Sequence, residues 1–453
     1  MELATIIAGI FDGHPPFRIT AYDGSVAGPV EAPVTVVLRR PEALRRIVTR
    51  PGELGLARAY VAGDLDVEGD LDALFSLEVP PPWALIKPEI FGALLRREGP
   101  ELLRPLPPPS AEARPTGGLH SLSRDRQAIS HHYDVSNAFY EQVLGPTMVY
   151  SCAVFEDGDP SLERAQLRKV DLVAAKLGLR PGMRLLDVGC GWGTMGLHAA
   201  ATYGCEVVGV TLSAEQQAYA TARAEQLGLA DRCSFRFQDF REITDGPFDA
   251  ISSIGMFEHV GRRSLEEYVV ALRDLLRPGG RLLNHAIGRP ATLEDRPAPS
   301  RLRSAVRQVA EAAGSNRSTR IQTEFMQRYV FPDGELHEVG NLCGHFQQMG
   351  FELRHLESLR EHYALTLRCW LANLEAHAAS ARAAAGDERF RVWKLYMTGS
   401  AIGFERHHLE IHQALFVRPD HGRSQMALRP NFTASGEAEW FAPLLASAPH
   451  LTT

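Results

Sequence analysis

Lysine is almost absent from this chain: Lys87, Lys169, Lys176 and Lys394 are its only four, and arginine carries nearly all the positive charge. Composition alone gives that scarcity no mechanistic meaning. The six cysteines, at positions 152, 190, 205, 233, 343 and 369, have no paired spacing such as C-x-x-C, so reduced thiols and no metal are expected. No apolar run approaches the ~18 residues needed to span a bilayer, and no basic and apolar leader opens the sequence. These absences point to a cytoplasmic protein that meets a membrane, if at all, as a peripheral visitor to its inner face. Positive charge is not in excess either. A net charge of −7 argues against a dedicated nucleic-acid binder, while leaving room for a local basic patch on anionic lipid. What is present is the composition of an ordinary globular protein, 45% apolar and 23% charged, in 453 residues, enough for two or three domains.

The most informative stretch is Arg184-Leu185-Leu186-Asp187-Val188-Gly189-Cys190-Gly191-Trp192-Gly193, followed by helix-forming sequence from Thr194 to Tyr203. An apolar run that ends in an acid and then alternates glycines reads as a buried parallel strand. Its carboxyl end turns sharply and leaves backbone N–H groups free for a ligand. A second strand, Cys205 to Ser213, precedes a helix from Ala214 to Leu227. A dinucleotide-binding fold would carry an acid at the end of that strand to hold ribose hydroxyls. Thr211 stands there instead, with Gln216 one helical turn on. Phe235 to Phe240, Phe248 to Gly255 and Gly280 to His285 continue the alternation of strands and helices, which implies a parallel sheet covered on both faces. The predicted fold class is α/β, a doubly wound sheet with a smaller amino-terminal α+β domain. The order of elements resembles the S-adenosylmethionine (SAM) methyltransferase core, a Rossmann-like fold, more than a dehydrogenase. That resemblance implies Gly189 and Gly191 beside the methionine and ribose, with Asp187 and Gly193 completing the loop, and Asp239 and Phe240 flanking the adenine.

Residues 1–104 read as a first domain, with a strand at Val34 to Leu38 and helices at Pro41 to Thr49 and Leu54 to Tyr60. Residues 105–126 are rich in proline and polar side chains, a composition that suits a stiff spacer. Residues 127–419 read as one catalytic domain. It carries an arginine-, alanine- and proline-rich insertion at 289–320 that includes one helix-forming run, Leu302 to Ala313. The insertion is either a ligand-covering segment or a solvated loop. Its arginines (289, 296, 301, 303, 307, 317 and 320) suit either anionic headgroups or a plain charged surface. Residues 420–453 show no clear pattern.

Three further motifs carry chemistry: His131-His132-Tyr133-Asp134-Val135-Ser136, Met148-Val149-Tyr150-Ser151-Cys152-Ala153, and Phe257-Glu258-His259-Val260-Gly261. Together with Gly55-Leu56-Ala57-Arg58-Ala59-Tyr60 in the first domain, they resemble the cyclopropane fatty acyl phospholipid synthase family, which includes the mycolic acid cyclopropane synthases. The resemblance runs from the start of the chain to about Pro419. It implies that Tyr150 and Ser151 contact SAM beside the glycine loop, and that Thr211, Leu212 and Gln216 hold its ribose and adenine side. It also implies a bicarbonate ion held by Cys152, Glu258, His285, the backbone at Ile287 and Tyr329, with Tyr133 lining the same site. Read singly, Cys152 and His285 suit a buried core equally well, Glu258 a local cap or ion pair, and Tyr329 simple packing.

The implied chemistry is demanding. An isolated cis double bond is a poor nucleophile and must be held in line with the SAM methyl group. Methyl transfer leaves a carbocation, whose proton must be removed in a dry site before water adds.

Two positions depart from the usual cyclopropane synthase pattern: Val154 replaces an aromatic residue, and Ala286 replaces a threonine. With Asn284-His285, Arg328 to Leu336, Glu361 to Arg368 and Gly403 to Arg406, the chain looks most like the actinobacterial branch that makes methyl-branched fatty acids. That branch converts an oleoyl phospholipid chain to a 10-methylene product, which a separate flavin-dependent reductase turns into 10-methylstearate. Ring closure to a cyclopropane, a small soluble methyl acceptor and a non-catalytic lipid-binding role are the alternatives. A homo-oligomer is compatible with the sequence.

Overall fold

The computed structural model describes residues 1–77, 87–118, 121, 124–125, 127, 136–291 and 323–447. The chain forms two compact units, one made of Met1–Arg114, Thr323–Pro332 and Ala378–Ile402, the other of Pro115–Gln322, Asp333–His377 and Gly403–Thr453.

The first unit is built on a four-stranded sheet of β1 (Arg18–Ala21), β2 (Val26–Ala27), β3 (Val34–Leu38) and β4 (Leu65–Gly69), in the order β2-β1-β3-β4. The β1–β3 pair is parallel and the other two pairs are antiparallel. Its core gathers Leu3, Ile6, Ile19, Val34, Leu38, Leu44, Tyr60, Ile90 and Leu94 from the sheet and from the helices Leu3–Ala8, Pro41–Thr49, Glu53–Val61 and Pro88–Glu98. Residues 378–402, which the sequence placed in the catalytic domain, join this unit for visible reasons. Arg391 forms two 3.1 Å hydrogen bonds to the Asp66 carboxylate, Glu388 accepts from Ser110 Oγ at 2.7 Å, and Leu395 packs on the core. The proline-rich stretch is anchored too. Ala111 and Ala113 are buried, and Glu112 takes a bidentate pair of bonds from Arg58 at 2.8 and 2.6 Å.

The second unit holds a seven-stranded sheet in the order β10-β11-β9-β8-β5-β6-β7. Its strands are β5 (Arg184–Val188), β6 (Glu206–Thr211), β7 (Cys233–Phe237), β8 (Phe248–Ile254), β9 (Leu276–Gly288), β10 (Glu352–Ser358) and β11 (Glu410–Val417). Strands β7 to β9 run parallel through β5, and β11 pairs antiparallel with both β9 and β10. Successive residues face opposite sides of a strand. Leu185, Val207, Ala250, Leu283 and Leu415 therefore meet the helices Leu162–Leu177, Thr194–Tyr203 and Ala214–Gln226, while Leu186, Val188, Ile251, Leu282 and Phe416 meet Leu265–Leu275 and Val339–Gln348. Two buried faces explain the continuous apolar runs of the parallel strands. The chain departs from β5 to one side through β6 and to the other through β8. Their carboxyl ends therefore flank a topological switch point, where open α/β sheets bind ligands.

The carboxyl-terminal segment, patternless in sequence, is ordered by isolated anchors. Ser435 N–H donates to Asp171 Oδ2 at 2.7 Å, Trp440 Nε1 to His198 Nδ1 at 3.2 Å, and Phe441 and Leu444 pack on Leu167. Of the insertion, Arg289 is described: it is buried in an ion pair with Glu338 and not presented to a lipid headgroup. The other six arginines and the run Leu302 to Ala313 lie outside the described residues. Among the described residues, no helix is long and apolar enough to cross a membrane.

Candidate active site

A cavity opens at the carboxyl ends of β5, β6 and β8. Its wall includes Tyr150, Ser151, Asp187, Gly189, Gly191, Thr211, Leu212, Gln216, Asp239 and Phe240, ten of the eleven residues the sequence assigned to SAM. The glycine loop makes this wall possible. Gly189 has φ +74°, and a methyl group there would lie 2.5 Å from both Cγ and Sδ of Met256. Gly191 has φ +54°, and a methyl there would have nothing among the described residues beyond its chain neighbours within 4 Å, so its missing side chain leaves open space on the cavity side. Gly193, the eleventh, is absent from the wall. Its α-carbon packs inward, where an added methyl would meet Ala220 Cβ at 2.8 Å and Phe235 Cζ at 2.9 Å, so its task is to seat the following helix on the sheet.

The polar groups of the wall are arranged in advance. Thr211 Oγ1 donates to Gln216 Oε1 at 2.8 Å and accepts from Ser213 N–H at 3.2 Å, which fixes the rotamers of both wall residues. Asp187 is buried; its Oδ1 accepts from Ser252 Oγ at 2.6 Å, and its Oδ2 has no partner among the described residues. Burial lifts the Asp187 pKa to about 6, against the pull of the Ser252 hydrogen bond and the Lys169 charge. Asp239 is less free than its sequence position suggests. Its carboxylate accepts from the Arg241 backbone N–H (2.9 Å), Nε (2.7 Å) and Nη2 (2.8 Å), capping the turn that follows. Arg241 and Lys169 also line the cavity, and sequence reading missed both. Arg241 carried no signal beyond its charge. Lys169 carried none either: two of the four lysines, 169 and 176, lie two turns apart on one helix, but that scarcity by itself has no mechanistic meaning.

Aromatic rings back the opening. Tyr150 lies 5.3 Å (ring centroids) from Trp370 and 6.0 Å from Tyr140, which is 4.7 Å from Trp192. Trp370 is fully buried and packs edge-on against Tyr363, whose ring meets Phe404.

The residues expected to act on the reacting lipid are partly brought together. Glu258 lies in the short helix Phe257–Val260 and is buried; the Ile287 backbone N–H reaches its carboxylate, while Oε2 has no partner among the described residues. A methyl placed on Gly255, a cavity residue, would lie 3.9 Å from Glu258 Oε1, so the carboxylate adjoins the wall, although Glu258, Cys152 and His285 are not themselves among the residues that line it. His285, on β9 two residues before Ile287, is buried with neither ring nitrogen partnered among the described residues. Burial and the charges of Lys169 and Lys176 hold its protonation well below the ordinary imidazole range, so it is neutral. Cys152 is fully buried, and its Sγ donates to the carbonyls of Ala153 (3.2 Å) and Leu359 (3.6 Å). Burial pushes this thiol up, which keeps it protonated and unsuited to nucleophilic attack. Tyr329 belongs to the first unit, on the π-helical turn Met326–Val330, where its hydroxyl donates to Glu112 Oε2 at 3.2 Å. Tyr133 lies outside the described residues.

Buried polar atoms left unmet cost about 1–3 kcal/mol each, so the bare atoms of Glu258 and His285 suit a small polar species. Burial also makes Glu258 a source of pH-dependent stability. Its pKa rises from the ordinary 4.5 to about 7, despite the opposing backbone hydrogen bonds. Below about pH 4.5 both folded and unfolded chains hold the proton. Between there and about pH 7 the unfolded chain releases it first, so stability falls as pH rises, by on the order of 3 kcal/mol. Glu258→Gln is neutral at every pH and is expected to lose this slope. Thermal melts should show the variant gaining on the native protein from pH 5 to pH 8; parallel pH profiles would contradict the assignment.

Residues 120–414 match the family model described as mycolic acid cyclopropane synthetase. The chain is similar to the "Probable fatty acid methyltransferase Rv3720" of Mycobacterium tuberculosis, 43% identical over 430 residues, 92% of this chain and 95% of that protein. "Tuberculostearic acid methyltransferase UfaA1" of the same organism is 32% identical over 418 residues, 89% of this chain and 88% of that protein. Among solved structures, mycolic acid cyclopropane synthase CmaA1 complexed with SAH and CTAB aligns with a TM-score of 0.55 at 31% identity, over 64% of this chain and 98% of the other.

Proposed function

Because the chain belongs to the mycolic acid cyclopropane synthetase family, we propose that it methylates the cis double bond of an oleoyl phospholipid chain, with SAM as donor, and releases a 10-methylene acyl product. The observation that carries this reading is the adjacency of the glycine-loop cavity to the buried carboxylate of Glu258. The SAH in the CmaA1 complex supports the donor, and the name of UfaA1 supports the branched product.

In this mechanism Tyr150, Ser151, Asp187, Gly189, Gly191, Thr211, Leu212, Gln216, Asp239 and Phe240 hold the donor with its sulfonium methyl toward the acyl chain. The alkene π pair forms the new C–C bond as the C–S bond breaks, SAH leaves, and a cation remains on the other former alkene carbon. The ring of Tyr150, backed by the buried Trp370 and Tyr363, supplies a dry wall whose π face favours the cation. A hydride shift between the two former alkene carbons, then loss of a methyl proton, gives the exocyclic methylene. A bicarbonate ion, when bound, would supply a compact base. The unmet atoms of Glu258 and His285 fit such an ion, and Cys152, Glu258, His285, the Ile287 N–H, Tyr329 and Tyr133 are the residues assigned to hold it. In this reading a flavin-dependent reductase consumes the product, and the enzyme works at the inner membrane surface.

Ring closure from the same cation is the second reading, favoured by the family model's own description. Incubation with methyl-labelled SAM and phospholipid vesicles tests the common step. Label should enter oleoyl lipid and leave fully saturated lipid untouched. Label found only in water-soluble acceptors would overturn the proposal.

A further inference from the structure

Lys169 and Lys176 are both buried on the helix Leu162–Leu177, at 2% and 1% exposure. A buried ammonium is costly unless it is paired. Lys176 has its counter-charge: it is paired with Glu357 and donates to Gln413 Oε1 at 2.6 Å. Lys169 is treated differently. Among the described residues it makes one hydrogen bond, from Nζ to the neutral Ser151 Oγ at 3.0 Å, although an ammonium has three donors. The negative charge that acts on it is Asp187, whose Oδ1 is taken by Ser252 and whose Oδ2 is bare. Lys169, Ser151 and Asp187 all line the same cavity as the Thr211–Gln216 pair.

The cavity wall therefore offers a buried cation with unused donors and a buried anion with an unused acceptor that acts on it. The amino-acid part of a methyl donor is the complementary shape, a carboxylate and an ammonium on one carbon. We propose that Lys169 is the cation that recognises the α-carboxylate of the methyl donor, directly and through the Ser151 hydroxyl that it orients, and so makes the cavity select an amino-acid-bearing nucleoside. The inference rests on the donor reading above and extends it to a residue that reading does not use. Burial draws the Lys169 pKa down to about 8, with the Asp187 charge opposing. The group is charged at neutral pH, and an arriving carboxylate strengthens that charge.

The test is calorimetric titration of the full chain with SAH and with decarboxylated SAH, which keeps the amine and loses only the carboxylate. A charge-assisted contact corresponds to a preference of about 10- to 100-fold for SAH in the native protein. Lys169→Met should lose that preference, with SAH affinity falling by the same factor and affinity for the decarboxylated ligand changing less than about threefold. Lys169→Gln keeps an amide donor for Ser151 while removing the charge, and serves if the methionine variant does not fold. Its preference should fall in the same way. Native protein that binds both ligands equally, or variants that weaken both ligands equally, would overturn the role of Lys169. Native protein that binds neither ligand would overturn the donor reading itself.

Discussion

Glu258→Gln should lower the rate of lipid methylation by about 10²- to 10³-fold while leaving SAH affinity within about threefold of native. The carboxylate adjoins the cavity, holds a bare oxygen and titrates near neutrality, so it is poised to accept a proton or to fix a group that does. An amide of the same shape removes both abilities. It also relieves the cost of a buried charge, so the variant should be the more stable protein at pH 8 and the poorer enzyme. Functional sites commonly hold such unfavourable groups. Initial rates on dioleoyl phospholipid vesicles, paired with SAH titrations, give the answer. Activity within tenfold of native would mean that Glu258 is a structural residue.

Gly191→Val is expected to abolish donor binding without unfolding the chain, an effect on SAH affinity on the order of 100-fold or about 3 kcal/mol. Apart from its chain neighbours, no atom of the described residues lies within 4 Å of where the side chain would begin, so its branches project into the cavity. The positive φ adds roughly 1–2 kcal/mol of backbone strain. Gly193→Ala is the contrasting variant. Its new methyl would press on Ala220 and Phe235 at 2.8 and 2.9 Å, away from the wall, so it should lower the melting temperature more than it weakens SAH binding. If Gly191→Val binds SAH as native does, the donor does not occupy this cavity.

Much of this was legible in the sequence, for physical reasons that vary by element. The strand Arg184–Val188 is buried on both faces and reads as a short apolar run that ends in the acid Asp187, and the helices Pro41–Thr49 and Thr194–Tyr203 have clear starts and stops. The loop glycines announced a backbone-lined site, but not that Gly193 serves packing while Gly191 opens space. Asp239 looked available for adenine because it caps the turn that holds its partner, Arg241, two residues on, and caps leave no periodic trace. Lys169 was hidden because its meaning lies in what surrounds it. One cation on an otherwise ordinary helix becomes notable only when burial and the bare oxygen of Asp187 are known. Tyr329, Cys152 and Glu258 were suggested by resemblance, since no spacing in the sequence brings positions so far apart together. The anchors Ser435 and Trp440 are single side chains with no pattern around them, so the order of the carboxyl-terminal segment was out of reach.

The central claim is that the cation formed on the oleoyl chain ends as a methylene branch. Proton NMR of the lipid recovered after incubation with SAM and dioleoyl phospholipid measures this directly, since the methylene and cyclopropane products are isomers of equal mass. The account predicts vinylidene proton signals and no high-field ring protons. High-field cyclopropane protons in their place would contradict it.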